Sequence, residues 1–458
     1  MFKKVLIANR GEIALRINRA CQELGVQTVA IFSEADRNSL HVRHADEAFC
    51  VGPGPVMRSY LNIPNIISTA LISGADAIHP GYGFLAENAR FAEIAADHGL
   101  AFIGPKPSVI AQMGDKATAK RIMKEAGVAT TPGSDIVDTV HDAQKFADAM
   151  GYPVLLKATA GGGGKGMRAV YEPADLPTAF ATAQSEAEAS FKDGRMYVEK
   201  LILSPRHIEV QLLGDEHGGL VHLGERDCSV QKPSHQKLIE EASAPALDPA
   251  VRDRLHATAL AAGRAVNYTN AGTLEFLVSG ENVYFMEMNT RIQVEHPVTE
   301  LVYGVDLVKE QIRIAAGESL GFTQAELHPV GHAIEVRVNA EDPDNNFAPA
   351  AGKLTRVEFP GGPGVRVDTH MFPGADIPPY YDSMIAKIIA HARTRDQAIA
   401  RMERALAETR IEGVKTTIDF CRDVLRDPEF QAAGIGVDYL EKSFMPRRAA
   451  HHDIQASV

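Results

Sequence analysis

Along the first hundred residues, short apolar runs alternate with stretches whose apolar positions recur at helical spacing. Val5 to Ala8, Thr28 to Phe32, Ala77 to His79 and Ala101 to Ile103 predict strands buried on both faces. Ile13 to Leu24 and Ala89 to His98 predict amphipathic helices between them. That alternation predicts a doubly wound α/β domain. A helical stretch over Ala111 to Ala126 leads out of it, and Thr131-Pro132-Gly133-Ser134 breaks the pattern. From about Asp135 to Leu203 the chain reads as a small α+β lobe, with strands at Val154 to Lys157, Met167 to Val170 and Tyr197 to Lys200 and a helix over Ala174 to Ala189. From His207 onward antiparallel strands dominate, with turns at Gly218-Gly219 and Ser279-Gly280, then a helix over Val305 to Ala315. After about Gly331 come more strands and a helix from Gln397 to Thr409.

The division expected is an α/β domain over 1–115, a central region over 116–330 that contains the lobe at about 135–203, a C-terminal antiparallel-sheet domain over 331–445, and a disordered polar tail over 446–458. Composition changes this picture little. At 458 residues, 45% of them hydrophobic, the chain has length for several domains and a large core. A net charge of −12 disfavours unspecific binding to nucleic acid or anionic membrane, so any phosphate must be met by local groups. The four cysteines form no C-x-x-C pair, and no run is long enough for a signal h-region or a membrane span, so a cytoplasmic protein is expected.

Candidate chemistry begins at Gly161-Gly162-Gly163-Gly164-Lys165-Gly166, between two short strands. Such a run lets backbone N–H groups approach an anion closely, or it is simply a flexible hairpin tip. Lys165 is followed by Gly166 rather than Ser or Thr, so this is no P-loop, and the first turn (Asn9-Arg10-Gly11-Glu12) lacks G-x-G-x-x-G. A glycine flap acting as a lid over a nucleotide fits better. Lys157, at the end of an apolar strand just before the flap, suits a phosphate oxygen. Lys116, at a helix entry, reads equally as a surface lysine.

The most informative segment is Tyr284 to His296, read as one strand. Glu287, Asn289, Arg291, Gln293 and Glu295 then share one face, and Met286, Met288, Ile292 and Val294 the other. A single such strand would ordinarily be a solvated face. The preceding strand argues otherwise: a register that sets Glu275 opposite Glu287 also sets Leu274 against Met288 and Phe276 against Met286. Two facing carboxylates, with Asn289 as a third oxygen donor, select Mg²⁺ or Mn²⁺ over zinc. Beyond them Arg291 and Gln293 fit a small oxyanion, with Glu295 placed to remove a proton. Ala333 to Asn339 alternates likewise and puts Arg337 on a polar face with Glu335 and Asn339, a pattern that alone would mean a surface arginine.

The flap, Glu275, the run Glu287-Met-Asn-Thr-Arg-Ile-Gln-Val-Glu-His-Pro-Val-Thr-Glu300 and the opening Ile7-Ala-Asn-Arg-Gly-Glu-Ile13 together resemble biotin carboxylase, the ATP-grasp component of biotin-dependent acyl-CoA and 2-oxoacid carboxylases. His79-Pro-Gly-Tyr-Gly-Phe-Leu85, Glu225-Arg-Asp-Cys-Ser229 and Pro379-Tyr-Tyr-Asp-Ser-Met384 extend the likeness, which runs from Met1 to about Phe444. The resemblance implies ATP contacts at Lys116, Lys157, Gly163, Gly164 and His207, an adenine-side segment of Glu199, Lys200, Leu201 and Ile202, and His235 nearby. It implies Mg²⁺ or Mn²⁺ on Glu275 and Glu287 with Asn289 on a second ion. Bicarbonate would meet Lys237, Arg291, Gln293 and Val294, with Glu295 as base and Arg337 stabilising the biotin enolate. Bicarbonate would attack the γ-phosphate of ATP, carboxyphosphate would break down to CO₂ and phosphate, and biotin N1′ would be carboxylated. One departure stands out. The family's two basic residues before His-Gln-Lys are replaced by Lys232-Pro233-Ser234, one residue longer, which changes the approach of Lys237 to the anion.

The family also implies a homodimer, a biotin carboxyl carrier protein and a carboxyltransferase subunit, for an acceptor of acetyl-CoA, propionyl-CoA or pyruvate type. The chain holds no Ala-Met-Lys-Met sequence for biotin attachment, so action in trans on a separate carrier is expected. Another ATP-grasp ligase with an amine or carboxylate acceptor, or a noncatalytic ATP sensor, are the rival readings. The Glu287 to Glu300 run with Arg337 argues against the first, and the presence of Glu295 and the metal carboxylates against the second.

Overall fold

The computed structural model describes residues 1–159, 166–191 and 193–456. The chain opens with a five-stranded parallel sheet of β1 (Lys4–Ile7), β2 (Gln27–Ser33), β3 (Glu47–Gly52), β4 (Ala77–His79) and β5 (Ala101–Phe102), in spatial order β3-β2-β1-β4-β5. Leu6, Val29, Ile31 and Ile78 are buried in a core on one face and Val5, Ile7 and Ala77 in a core on the other, which explains the unbroken apolar runs. Strand order reverses between β1 and β4, and such a switch point opens a crevice at the carboxyl ends of the strands. Asn9, Arg10 and Gly11, leaving β1 for helix α1 (Gly11–Glu23), line the main cavity from that crevice.

The helical stretch read as continuous over Ala111 to Ala126 is two helices. Pro107–Gly114 ends at Asp115, whose carboxylate accepts the Thr118 backbone N–H at 2.8 Å and starts α2 (Lys116–Glu125). The small lobe is an antiparallel sheet of β6 (Val154–Ala158), β7 (Met167–Val170) and β8 (Met196–Lys200), with β6 in the middle, packed on helices Val140–Met150 and Leu176–Phe191. Gly163 and Gly164 of the expected flap lie outside the described residues.

The largest sheet has eight antiparallel strands. They are β9 (Arg206–Gly214), β10 (Leu220–Gln231), β11 (Lys237–Ala242), β12 (Asn270–Ser279), β13 (Asn282–Asn289), β14 (His332–Asn339), β15 (Val365–Thr369) and β16 (Met384–Ala392). Their spatial order is β13-β12-β9-β10-β11-β14-β16-β15. Through the β11–β14 pairing one sheet runs from the central region into the C-terminal one, so side chains distant in sequence share a face.

Two helices interrupt a region read as strands. For α3 (Pro249–Ala265), Asp248 accepts the N–H groups of Ala250 and Val251, and Pro249 occupies the first turn. The second, α4 (His296–Tyr303), has Pro297 in its first turn. The strand expected through His296 therefore ends early, at Asn289. Thr290 gives its N–H to Glu87 rather than to a strand partner, and Ile292 buries against the core under the first sheet. The tail also departs from expectation, because Met445–Ala456 is helical. Its polar composition serves ion pairs to distant residues: Arg447 with Asp427 and Glu429, Arg448 with Asp344 and Asp423. Among the described residues no helix is long and apolar enough to cross a membrane.

Candidate active site

A cavity of about 770 Å³ lies between the switch-point crevice, the lobe and the face of the large sheet. Every described candidate residue from the sequence reading lines it. The register between β12 and β13 sets Glu275 opposite Glu287 and Leu274 opposite Met288, as expected. Phe276, however, faces Phe285 rather than Met286. A bulge at this point leaves Met286 unpaired, and both Met286 and Glu287, neighbours in sequence, line the cavity while Met288 stays buried away from it. On the other side of β12, Glu275 faces Glu209 and Leu277 faces His207 on β9.

At the lobe end, lysines converge. Lys116 and Lys120 are one turn apart on α2, and Lys157 ends β6. Glu199 on β8 is 2.7 Å from Lys157 and also contacts Lys120. Burial, then repulsion from Lys116, lowers the Lys157 ammonium to about 8. Burial and then Lys157 and Lys116 lower Lys120 to about 7. Such a group of crowded cations fits a polyphosphate, which would restore their charge. Leu201 and Ile202 continue from β8 along the wall. The Lys200 side chain instead donates to the Gly151 carbonyl at 2.9 Å, which ties the end of β8 to the segment before β6 within the lobe. His235 is exposed at the rim, with φ at +61°.

Between the two ends sit the carboxylates expected to hold a cation. Burial raises Glu287, and repulsion from Glu275 raises it further. A divalent cation would relieve that repulsion, so this pair fits one. Asn289 offers its amide oxygen to Arg291 at 3.0 Å, while its buried Nδ2 has no partner. Glu275 is engaged on its other side by Lys237 at 3.0 Å, Gln293 at 2.8 Å and His207 at 3.1 Å.

The far end is densely paired. Lys237 Nζ meets Glu295 at 2.6 Å, Glu209 at 2.8 Å and Glu275 at 3.0 Å. The longer Lys232-Pro233-Ser234 segment does not displace Lys237, because a turn absorbs it: His235 N–H donates to the Lys232 carbonyl, and Lys232 N–H to that of Gln236. Glu295 is the residue that precedes α4, and its second oxygen accepts from Arg337 at 2.9 Å. Burial alone would raise Glu295, but Lys237, Arg337 and Arg226 hold it well below the usual carboxylate range. Arg291 is fixed by Glu87 at 2.8 Å, and Lys387 donates to the Val294 carbonyl at 2.8 Å. Residues 290–295 thus bring Arg291, Gln293 and Glu295 to the cavity from a turn, not from the extended strand the sequence suggests.

Several residues here escaped the sequence reading. Arg226, fully buried, donates to Glu209, Gln211, Thr299, Thr273 and, at 2.7 Å, to the amide oxygen of Gln293. It fixes which way Gln293 presents its amide. The period-two pattern His207, Glu209, Gln211 along β9 could have exposed Glu209. Lys120, four residues after Lys116 on one helix face, could likewise have been found.

Comparison with known proteins gives the family. The model described as the biotin carboxylase N-terminal domain matches residues 1–110, the carbamoyl-phosphate synthase L chain ATP-binding domain matches 115–323, and the biotin carboxylase C-terminal domain matches 335–442. The chain belongs to the biotin carboxylase family. Biotin carboxylase of Nostoc sp. is 55% identical over 444 residues, covering 96% of this chain and 99% of that protein. Biotin carboxylase 1 of Bacillus subtilis is 52% identical over 444 residues, covering 96% and 98%. Among solved structures, the biotin carboxylase domain dimer of Hydrogenobacter thermophilus 2-oxoglutarate carboxylase, in complex with MgADP, ADP and bicarbonate, has a TM-score of 0.93 at 50% identity, covering 96% of this chain and 98% of that one. A Campylobacter jejuni biotin carboxylase complex with β-γ-ATP also has a TM-score of 0.93, at 48% identity, covering 96% and 99%. The fold is therefore the ATP-grasp architecture of biotin carboxylases.

Proposed function

We infer that this chain is the ligase that uses ATP and bicarbonate to carboxylate biotin, and we propose roles for its residues. One observation carries the assignment of roles: a single cavity joins the lysine cluster, the facing Glu275 and Glu287, and the Lys237–Glu295–Arg337 group. Lys116, Lys157 and Lys120 bind the polyphosphate, with Glu199 to Ile202 beside the base and His207 and His235 near the phosphates. Glu275 and Glu287 hold Mg²⁺ or Mn²⁺, with Asn289 adjoining. That ion, when bound, neutralises the transferring phosphate oxygens.

Arg291, Gln293 and the Val294 backbone hold bicarbonate, and Lys237 turns from its carboxylate partners to the anion. Glu295 then loses its strongest cationic partner, its proton affinity rises, and it takes the bicarbonate proton. Arg337 is left to stabilise negative charge on the ureido oxygen of biotin. The biotin is borne by a lysine outside these 458 residues, on a carrier protein, with the carboxyl group passed to an acyl-CoA or 2-oxoacid by a carboxyltransferase. The solved dimer at 50% identity supports a homodimer, and the free cysteines, three of them buried, support a cytoplasmic setting. A bicarbonate-dependent ATPase assay with free biotin tests this reading. ADP release that needs bicarbonate and rises with biotin supports it. Release that ignores bicarbonate, or that requires an amine or another carboxylate, overturns it.

A further inference from the structure

Behind Arg337 lie two carboxyl groups with no evident task. Glu240 on β11 and Glu335 on β14 are register partners across an antiparallel pair, so their Cβ atoms are about 5 Å apart. Both residues are fully buried. Glu240 spends one oxygen on Arg337, at 2.6 Å, and its other oxygen has no partner. Both oxygens of Glu335 lack a partner. Three of four oxygens in two facing carboxyl groups are thus buried without a hydrogen bond. Two ionised carboxylates in that arrangement would face one another across the pair with only one hydrogen bond, from Arg337 to Glu240, made to their four oxygens.

The cations nearby, Lys387 and Arg337, act on Glu335 without a hydrogen bond to it and are already paired elsewhere. Arg337 comes from the same strand as Glu335 and already serves Glu240 and Glu295. Lys387 on β16 is committed to Glu12 at 3.1 Å and to the Val294 carbonyl, with Asp368 beyond it at 3.9 Å. Lys237 on β11 is surrounded by its three carboxylates, with Cys228 of β10 close by. His296 at the start of α4 is held neutral by burial and then by Lys387, Arg16 and Arg366. Tyr82 donates to Glu12, and on the opposite side Cys421 brings no charge.

We propose that Glu240 and Glu335 form a proton-sharing pair that holds one proton at neutral pH, and that this proton sets the charge available at Arg337 and Glu295. Burial, above all, raises both groups: Glu240 to about 7, Glu335 well above the ordinary carboxyl range. With one proton held, Arg337 balances Glu240 and Glu295 and retains attraction for a developing anion. When the pair gives its last proton to solvent at alkaline pH, an uncompensated negative charge appears behind Arg337. The attraction for bicarbonate and for the biotin oxyanion then falls. Glu335 is thus a positioning residue, acting through Arg337.

The functional half of this proposal rests on the biotin carboxylase reading. The structural half does not, and the experiment separates them. Infrared difference spectroscopy of wild type against Glu335→Gln, without substrate and near neutral pH, should show a protonated-carboxyl C=O band that the variant loses. No such band in wild type overturns the proposal. The alkaline limb of biotin-dependent turnover is then compared in the same buffers, so that carbonate affects both proteins equally. Wild type should lose about tenfold per pH unit above its midpoint. In Glu335→Gln the ratio of alkaline to neutral turnover should be at least about threefold higher, because Gln mimics the protonated form at every pH. An unchanged limb, with the band present, overturns the link to turnover. Should the variant fail to fold, the band is read in Glu240→Gln and by its pH titration in wild type. Failure of the biotin carboxylase reading would instead show as absent bicarbonate-dependent ATPase with the band intact.

Discussion

The two ends of the cavity keep their lysines in opposite conditions. At the lobe end Lys157 and Lys120 share one carboxylate, Glu199, and burial with mutual repulsion weakens their hold on protons. At the far end Lys237, also enclosed, meets three carboxylates, and burial is outweighed so that its ammonium is held well above the ordinary range. One end is short of negative charge and, on the proposed roles, would gain it with the nucleotide. The other is already paired, and a bicarbonate bound as proposed would have to take Lys237 away from the carboxylates that hold it. Under the proposed roles the exchange is useful, because releasing Lys237 is what would let Glu295 act as a base.

The largest expected effect breaks the far end. Glu295→Gln keeps the shape and removes the base, so biotin-dependent turnover should fall by about 10² or more while ATP binding persists. Near-normal turnover would remove Glu295 from its role. Next, two substitutions near the midline should separate the ends. Glu287→Gln should raise the Mg²⁺ needed for half-maximal ATPase by about tenfold or more, since a charged oxygen ligand is lost. Arg291→Ala should leave ATP affinity in place and raise the bicarbonate requirement by about tenfold. If added Mg²⁺ rescues both variants alike, the division between metal and anion residues is wrong.

The smallest effect concerns the lobe end and its protons. The folded site lowers Lys157 from the usual lysine value to about 8, so in the free protein it loses its proton as pH rises through 8. Nucleotide binding favours the charged form. Binding should therefore take up protons near pH 8 and weaken as pH rises above it. Calorimetric titration of ATP in buffers of different ionisation enthalpy measures this directly. Lys120, lowered further still to about 7, should share that uptake, so Lys157→Met should lose part of it and Lys157→Met combined with Lys120→Met most of it. Proton release on binding, or none, would contradict the charge-deficient reading of this end.

How much of this was legible in the sequence differs between the same two ends. Period-two and helical patterns exposed the parallel sheet, the lobe and the Glu275–Glu287 register, because each depends on which face a side chain takes. The bulge at Met286 was not legible, since both choices put an apolar residue against Phe276. The turn at 290–295 imitates a strand by alternating polar and apolar residues, yet Ile292 buries in a different core and Glu87 draws the chain away. Pro297 marked the start of α4, and Asp248-Pro249 marked α3, but both signals were outweighed by the strand pattern around them. Arg226 and Glu240 act through partners far away in sequence, which no local pattern reports.

The central claim is that one cavity couples ATP cleavage to the carboxylation of biotin. Its most direct test is transfer of radiolabelled bicarbonate to a purified biotinylated carrier domain. Label should appear on the carrier only with ATP and Mg²⁺ present, in step with ADP release, and be lost in Glu295→Gln. ATP cleavage with no label on the carrier, or labelling without ATP, would contradict it.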